Sequence, residues 1–240
     1  GDWSAEYAAG EVFRRDWFKL VSQAPAPVRR VVRSYDLAWG TSESACWTAG
    51  VLLGEMVTGD WVVLDVIRLR GTWGTVQPVL RRVATIDRAL FPGVVVRLPA
   101  DMGAAGTIIR DSYVRELAGF HVELVPDKGD KFDRVRPLAA QVQHGHVYLQ
   151  TTSHPTRELA AELHGSGVEV STAYQWLEGF LSELEKADPR YPKRGFLDQM
   201  DAFNGAFEYL ESSQTRLPAP SAVRGAGAKL GATFGFGRGG

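Results

Sequence analysis

Apolar runs separated by Gly- and Pro-containing turns divide the first half of the chain into short elements. Three of these runs predict strands, over Val31–Leu37, Ala45–Met56 and Trp61–Arg70. The last two are joined by Thr58-Gly59-Asp60, which predicts a tight turn between antiparallel strands. An apolar stripe with a 3.6-residue period then predicts a helix from about Thr75 to Leu90.

The pattern changes to alternating strands and helices after Gly93. Val94–Pro99 is nearly all apolar, which is typical of a central strand covered on both faces. A helix is predicted over Thr107–Leu117, a strand over His121–Val125 and a last helix over Phe196–Leu210. Strand–helix–strand alternation after an antiparallel meander predicts an α/β fold, with a mixed sheet whose first strands are antiparallel and whose faces carry helices.

The composition suggests one large domain with two polar extensions. We expect an N-terminal arm or linker over residues 1–30, a globular domain over 31–216 and a flexible basic, Gly-rich tail over 217–240. Net charge is -1, so any nucleic-acid contact must use a local basic patch. The single cysteine, Cys46, excludes an internal disulfide and a Cys-based zinc site and fits a reducing cytoplasm. No apolar run reaches the roughly 18–20 residues of a membrane span, and we expect no signal peptide.

Acidic residues stand at the ends of three predicted elements. Asp36 follows the first strand, Asp101 follows the run that begins at Val94, and Asp198 and Asp201 open the last helix. Carboxylate oxygens are preferred ligands of Mg²⁺ and Mn²⁺, and two such ions can support phosphodiester cleavage. The pattern therefore predicts a divalent-metal site. The alternatives are turn formation for a lone aspartate and plain helix capping for Asp198 and Asp201.

An ordered set of short motifs resembles a known family. After Asp36 and Asp101-x-Gly103 come Gly129-Asp130-Lys131-Phe132-x-Arg134, Gly145-x-Val147-Tyr148-Leu149 and Leu197-Asp198-Gln199-Met200-Asp201-Ala202. This order is similar to the C-terminal nuclease domain of the large terminase subunit of tailed bacteriophages. The resemblance runs from about Val31 to Leu210.

The resemblance implies an RNase H-like fold and metal-dependent, largely sequence-independent cutting of double-stranded DNA during viral genome packaging. By matching, Asp36, Asp101 and Asp198 would hold two Mg²⁺ or Mn²⁺ ions, with Asp201 as a supporting carboxylate. Leu197 stands where the family often has a further aspartate, which leaves open whether Asp201 is a direct ligand.

The resemblance also implies partners in the host cytoplasm: portal, the small terminase subunit and an ATPase motor. The chain has no Gly-x-x-x-x-Gly-Lys-Ser/Thr motif, so we expect an isolated nuclease segment that depends on a motor outside this sequence.

Several basic and aromatic residues are candidate DNA contacts, and each has a structural alternative. They are Lys128, Lys131, Arg134, His144, His146, Trp39 and Trp73. The cations can instead pair with neighbouring acids. The two histidines bracket Gly145 in a predicted hairpin turn, and the tryptophans lie in predicted loops.

Two other functions remain open at this point. One is another RNase H-like nuclease, such as a Holliday-junction resolvase. The other is a non-catalytic packaging module in which the aspartates are structural and the tail docks on portal or motor.

Overall fold

The structure is a computed structural model that describes residues 12–38, 46–100, 103–126, 129–163, 165–170, 176–190 and 197–214. Asp101, Trp39, Lys128 and the predicted basic tail therefore lie outside the described residues.

Within the described residues, eight strands form one mixed sheet. The strands are β1 (Lys19–Val21), β2 (Val28–Asp36), β3 (Thr48–Met56), β4 (Trp61–Arg70), β5 (Val95–Pro99), β6 (His121–Val125), β7 (Val147–Gln150) and β8 (Glu169–Val170). Their spatial order is β1-β7-β4-β3-β2-β5-β6, and β8 pairs with the end of β4.

The central strands are antiparallel and the outer ones add in parallel. β2, β3 and β4 form an antiparallel meander, while β5 joins β2 and β7 joins β4 in parallel. The mixed α/β sheet with antiparallel first strands, predicted from the sequence, is confirmed.

Helices cover both faces of this sheet. They are α1 (Trp73–Leu90), α2 (Gly103–Glu116), α3 (Lys131–Gln143), α4 (Glu158–Glu162), α5 (Trp176–Leu184) and α6 (Asp198–Gln214), with short 3-10 turns at Arg15–Trp17 and Pro155–Arg157. One apolar cluster joins the sheet to α1 and α2, and another joins it to α3, α5 and α6. We call these the α1 face and the α6 face.

The strand register assigns alternate residues of β2 to opposite faces. Tyr35 pairs with Gly50 and packs in the α1-face cluster, where a Cβ on Gly50 would lie 2.5 Å from the Tyr35 ring. Its neighbour Asp36 pairs with Ala49, which lies in the α6-face cluster. Since successive side chains alternate across a sheet, Asp36 is on the α6 face.

The segment expected to be an arm or linker contributes to the fold over its described part, residues 12–30. Phe13 and Phe18 are buried in the α6-face core, and β1 pairs with β7. Arg15 forms salt bridges with Glu178 and Glu185 at 2.9 and 3.0 Å. Aromatic burial thus ties this segment to α5. The assignment of residues 31–216 as the nuclease domain stays a prediction.

Two local predictions are corrected. His144, Gly145 and His146 do not form a hairpin turn, because they connect the end of α3 to β7, and β7 pairs in parallel with β4. Trp73 does not lie in a loop, because it is the first residue of α1. Among the described residues, no helix combines the length and the apolar character that a membrane crossing requires.

Candidate active site

One end of the sheet collects the ends of several elements. Because β2 and β3 are antiparallel, Asp36 at the end of β2 lies beside Ala49 near the start of β3. Helix α6 packs on both strands and begins at Asp198. The Asp198 carboxylate accepts a hydrogen bond of 2.8 Å from the backbone N–H of Trp47, just before β3. The first residue of α6 is thereby fixed at the Asp36 end of the sheet.

The pairing of Asp36 with Ala49 and the hydrogen bond from Trp47 to Asp198 place both carboxylates at the same end of β3. Burial raises the pKa of the Cys46 thiol, and the charges of Asp198 and Asp36 raise it further. One thiol therefore senses both carboxylates, which are separated widely in sequence. The structure brings together these two members of the predicted triad.

Asp198 is a buried carboxylate. It is 7% exposed, and it makes no salt bridge with any residue that the structure describes. Burial raises its pKa, while the Trp47 N–H, Arg68, Lys131 and Arg70 act in the opposite direction. A desolvated carboxylate without a paired cation fits the donor chemistry of a hard divalent metal.

Asp201 differs from Asp198 because a lysine already holds it. The Lys131 Nζ lies 2.5 Å from Asp201 Oδ2, and this salt bridge joins the first turn of α3 to the first turn of α6. Asp130 caps α3, accepting from the Phe132 N–H at 2.8 Å, and so positions Lys131. The contact favours a supporting role for Asp201.

Glu183 of α5 holds the beginning of α6. Its carboxylate accepts from the backbone N–H groups of Gln199 and Met200 at 2.6 and 3.2 Å and from the Gln199 side-chain amide at 2.5 Å. Helix N-termini have unsatisfied N–H donors, which this carboxylate satisfies. Burial raises the pKa of Glu183 to about 6.

Two arginines stand on the β4 side of the site. The Arg68 and Arg70 guanidinium carbons lie 4.6 and 4.0 Å from the centre of the Trp47 ring. Arg70 also forms a salt bridge of 3.1 Å with Glu169. We call Arg68 and Arg70 the arginine pair.

The predicted DNA contacts that the structure describes do not all lie at this end of the sheet. Lys131 lies at the site, and Trp73 is 45% exposed at the start of α1, shortly after Arg70. Arg134 lies 3.6 Å from Glu208 of α6. Trp39 and Lys128 lie outside the described residues.

His144 and His146 lie at the opposite end of the sheet. The Trp61 N–H, at the start of β4, donates to the His146 carbonyl, and His146 Nδ1 is 2.8 Å from Asp60 Oδ1 in the β3–β4 turn. Helix α3 runs for about 20 Å between Lys131 and this turn. The structure therefore does not bring the histidines to the carboxylates.

The full metal centre is not defined by the described residues. Among them, no three His, Cys, Asp or Glu side chains form a metal-binding group. The predicted triad requires Asp101, which follows β5 just beyond its described part. The metal assignment stays a prediction.

The sequence reasoning missed Trp47, Glu183 and the arginine pair. A signal for the arginines was present, because Arg68 and Arg70 interrupt an apolar strand at a two-residue interval and so share a face. Glu183 gave no such signal, since its partners are 16 and 17 residues away along the chain.

The sheet order and the helices on both faces match the predicted RNase H-like α/β fold. The predicted resemblance to the large-terminase nuclease domain is also confirmed at the level of structure. The crystal structure of the large terminase nuclease from thermophilic phage G20c matches with a TM-score of 0.51 and 16% identity, over 83% of this chain and 98% of that chain.

The same phage nuclease with bound magnesium matches with a TM-score of 0.53 and 15% identity, over 84% of this chain and 98% of that chain. The Fowlpox virus resolvase, in complex with Holliday junction DNA, matches at a TM-score of 0.35 and 12% identity, over 76% of this chain and 98% of that chain. No protein-family model and no curated protein sequence matches the chain.

Proposed function

We propose that this chain is a divalent-metal-dependent endonuclease that cuts double-stranded DNA during viral genome packaging. The observation that carries the proposal is the placement of Asp198, buried and without a salt bridge to a described residue, at the end of the sheet where β2 delivers Asp36. The likeness of the fold to a phage terminase nuclease, which has been crystallised with magnesium, supports the same assignment.

Asp36, Asp101 and Asp198 are the residues that would hold two Mg²⁺ or Mn²⁺ ions. Bound there, the ions would activate a water molecule and stabilise the leaving oxygen of the phosphodiester. The protein's own contribution is positional: Trp47 orients Asp198 through its N–H, and Glu183 anchors the turn of α6 that carries it.

Asp201 supports the site and does not bind metal directly in this proposal. Its salt bridge with Lys131 balances its charge and ties α3 to α6 beside Asp198. Lys131 therefore acts in part by orienting Asp201 and in part as a cation near the DNA phosphates.

In this proposal the DNA surface continues from this end of the sheet over Trp73 and Arg134. Trp39 and Lys128, which lie outside the described residues, stay predicted DNA contacts. His144 and His146 lie at the other end, so any DNA contact they make is remote from the cutting centre. In packaging, the nuclease would act in the host cytoplasm with portal, the small terminase subunit and an ATPase motor.

Plasmid nicking in Mn²⁺ tests the proposal. Asp198→Asn removes a charged ligand, so we expect cutting to fall by orders of magnitude with the fold intact. Asp201→Asn is expected to lose about 10–100-fold, as a residue that orients a ligand usually does. Asp16→Asn, at an exposed salt bridge with Arg14, is the matched control and should cut normally.

Three outcomes would contradict parts of this scheme. If wild-type protein does not nick in Mn²⁺, the nuclease assignment fails. If Asp201→Asn is as inactive as Asp198→Asn, both residues are direct ligands. Strong preference for a four-way junction over plasmid would favour a resolvase.

A further inference from the structure

The arginine pair lies on the same face and at the same end of the sheet as the candidate carboxylates. Asp36 pairs with Ala49 across β2 and β3, and Ala49 pairs with Arg68 across β3 and β4. Directly paired residues point to one face, so Asp36 and Arg68 flank the small Ala49 with Cα atoms about 10 Å apart. Arg70 lies two residues further along β4, at its last residue.

Trp47 holds both guanidinium groups beside Asp198. The indole is 9% exposed and contacts Arg68 and Arg70 through its ring, while its backbone N–H donates to Asp198. Stacking on an aromatic ring fixes a guanidinium in one plane and leaves its edge N–H groups available. The two cations and the candidate metal ligand are thus positioned by one residue.

Some of the hydrogen-bond donors of the arginine pair have no acceptor among the described residues. Among the residues that the structure describes, Arg68 has no hydrogen bond and no salt bridge, and the Nε atoms of Arg68 and Arg70 are buried without an acceptor. The carboxylate partner of Arg70, Glu169, is on the surface with its side chain 58% exposed. A buried donor without an acceptor is costly, so these groups are suited to binding an anion.

We propose that Arg68 and Arg70 bind phosphate groups of the DNA backbone next to the bond that is cut. The guanidinium groups lie within the same end of the sheet as Asp36 and Asp198, and their planar N–H donors suit phosphate oxygens. The inference rests on the proposed nuclease function and adds the surface that holds the substrate strand. The occupant is the DNA phosphodiester, and no base-specific contact is required.

DNA binding without cutting tests this inference. The probe is a fluorescent duplex of about 30 base pairs, titrated in EDTA at several salt concentrations. We expect Arg68→Gln with Arg70→Gln to weaken binding at least 10-fold and to reduce the salt slope by about one per lost phosphate contact. Arg88→Gln is the matched control, because the Arg88 guanidinium carbon lies 4.2 Å from the centre of the Phe120 ring and its Nη1 donates to the Gly119 carbonyl on the α1 face.

A structural role for the arginine pair predicts a different result. Weaker binding with an unchanged salt slope, or wild-type binding by a folded double Gln variant, would overturn the inference. If the Gln variant does not fold, the double Lys variant decides. It keeps the charge but loses the planar donors, so we expect several-fold weaker binding with the wild-type slope, and wild-type affinity would overturn the inference.

Plasmid nicking by the wild-type protein separates the two proposals. If the wild-type protein does not nick plasmid, but the double Gln variant binds DNA more weakly and with a smaller salt slope, the nuclease assignment is refuted and the phosphate contact is kept. Normal nicking by the double Gln variant with unchanged binding would refute the phosphate contact and keep the nuclease.

Discussion

Both faces of the central strands bury charged side chains, but the partners of these side chains differ between the two faces. On the α1 face, Arg33 is fully buried and its guanidinium contacts Asp87 through two bonds of 2.8 Å and Asp65 through one of 2.9 Å. Thr156 adds a bond of 2.9 Å to Asp65. Here each buried charge has a partner of opposite sign.

On the α6 face, the charges are close to one another without being paired in this way. Asp198 accepts one backbone N–H, and Arg68 stacks on Trp47 without a salt bridge to a described residue. Burying a charge without a partner costs several kcal/mol, so such an arrangement persists when a ligand compensates for it. The charges of the first cluster are paired within the fold, whereas those of the second fit the proposed metal and DNA ligands.

The largest effect is expected from breaking the paired cluster. Arg33→Met leaves Asp65 and Asp87 buried without their cation, which typically costs about 3–5 kcal/mol. Urea unfolding measures this loss. Arg14→Met removes an exposed salt bridge and should cost at most about 1 kcal/mol. Equal losses of unfolding free energy in the two variants would show that the buried cluster contributes no more to stability than an exposed salt bridge.

Metal should stabilise the unpaired cluster. Mn²⁺ binds the folded site and not the unfolded chain, so a concentration 100 times the dissociation constant adds about 2.7 kcal/mol to the free energy of unfolding. Thermal melting with and without Mn²⁺ measures this gain, which Asp198→Asn should abolish and Asp16→Asn should keep. A melting temperature that does not respond to Mn²⁺ would remove the metal from the proposal.

The pH dependence of the free energy of unfolding should reveal the titration of Glu183. Burial raises its pKa from 4.5 to about 6, so the folded protein binds this proton more tightly than the unfolded chain does. The stability from Glu183 is therefore present below pH 4.5 and lost as pH rises through 6, a change of about 2 kcal/mol. The difference in unfolding free energy between wild type and Glu183→Gln should follow this window. A constant difference would mean that Glu183 does not titrate there.

The smallest effect concerns how closely α6 lies on the sheet. A Cβ on Gly205 would lie 2.4 Å from Arg97 Nη1 and 2.7 Å from Ser34 Oγ, so Gly205→Ala must displace the helix or a buried arginine. We expect a net loss of about 1–2 kcal/mol, because strain exceeds the gain in helix propensity. Gly179→Ala in α5 meets no atom within 4 Å and should stabilise the protein slightly. A stabilising Gly205→Ala would show that α6 is not closely packed there.

The sequence by itself determined most of the central strands and helices and two of the candidate site residues. Apolar periodicity placed β4 and β6 at the bounds that the structure shows, and it put Asp36 and Asp198 at the ends of a strand and a helix. These signals are local, because they depend on the two-residue and 3.6-residue repeats of side-chain direction. The ordered motifs added the RNase H-like class.

Only the tertiary structure decided which of these residues meet. The register of β2, β3 and β4 sends Arg33 to the paired cluster and Asp36 to the row of Arg68. Parallel pairing of β7 with β4 carries His144 and His146 away from the site. Lys131 reaches Asp201, and Trp47 reaches Asp198 across 151 residues. Such contacts depend on strand order and register over the whole sheet, which no local repeat encodes.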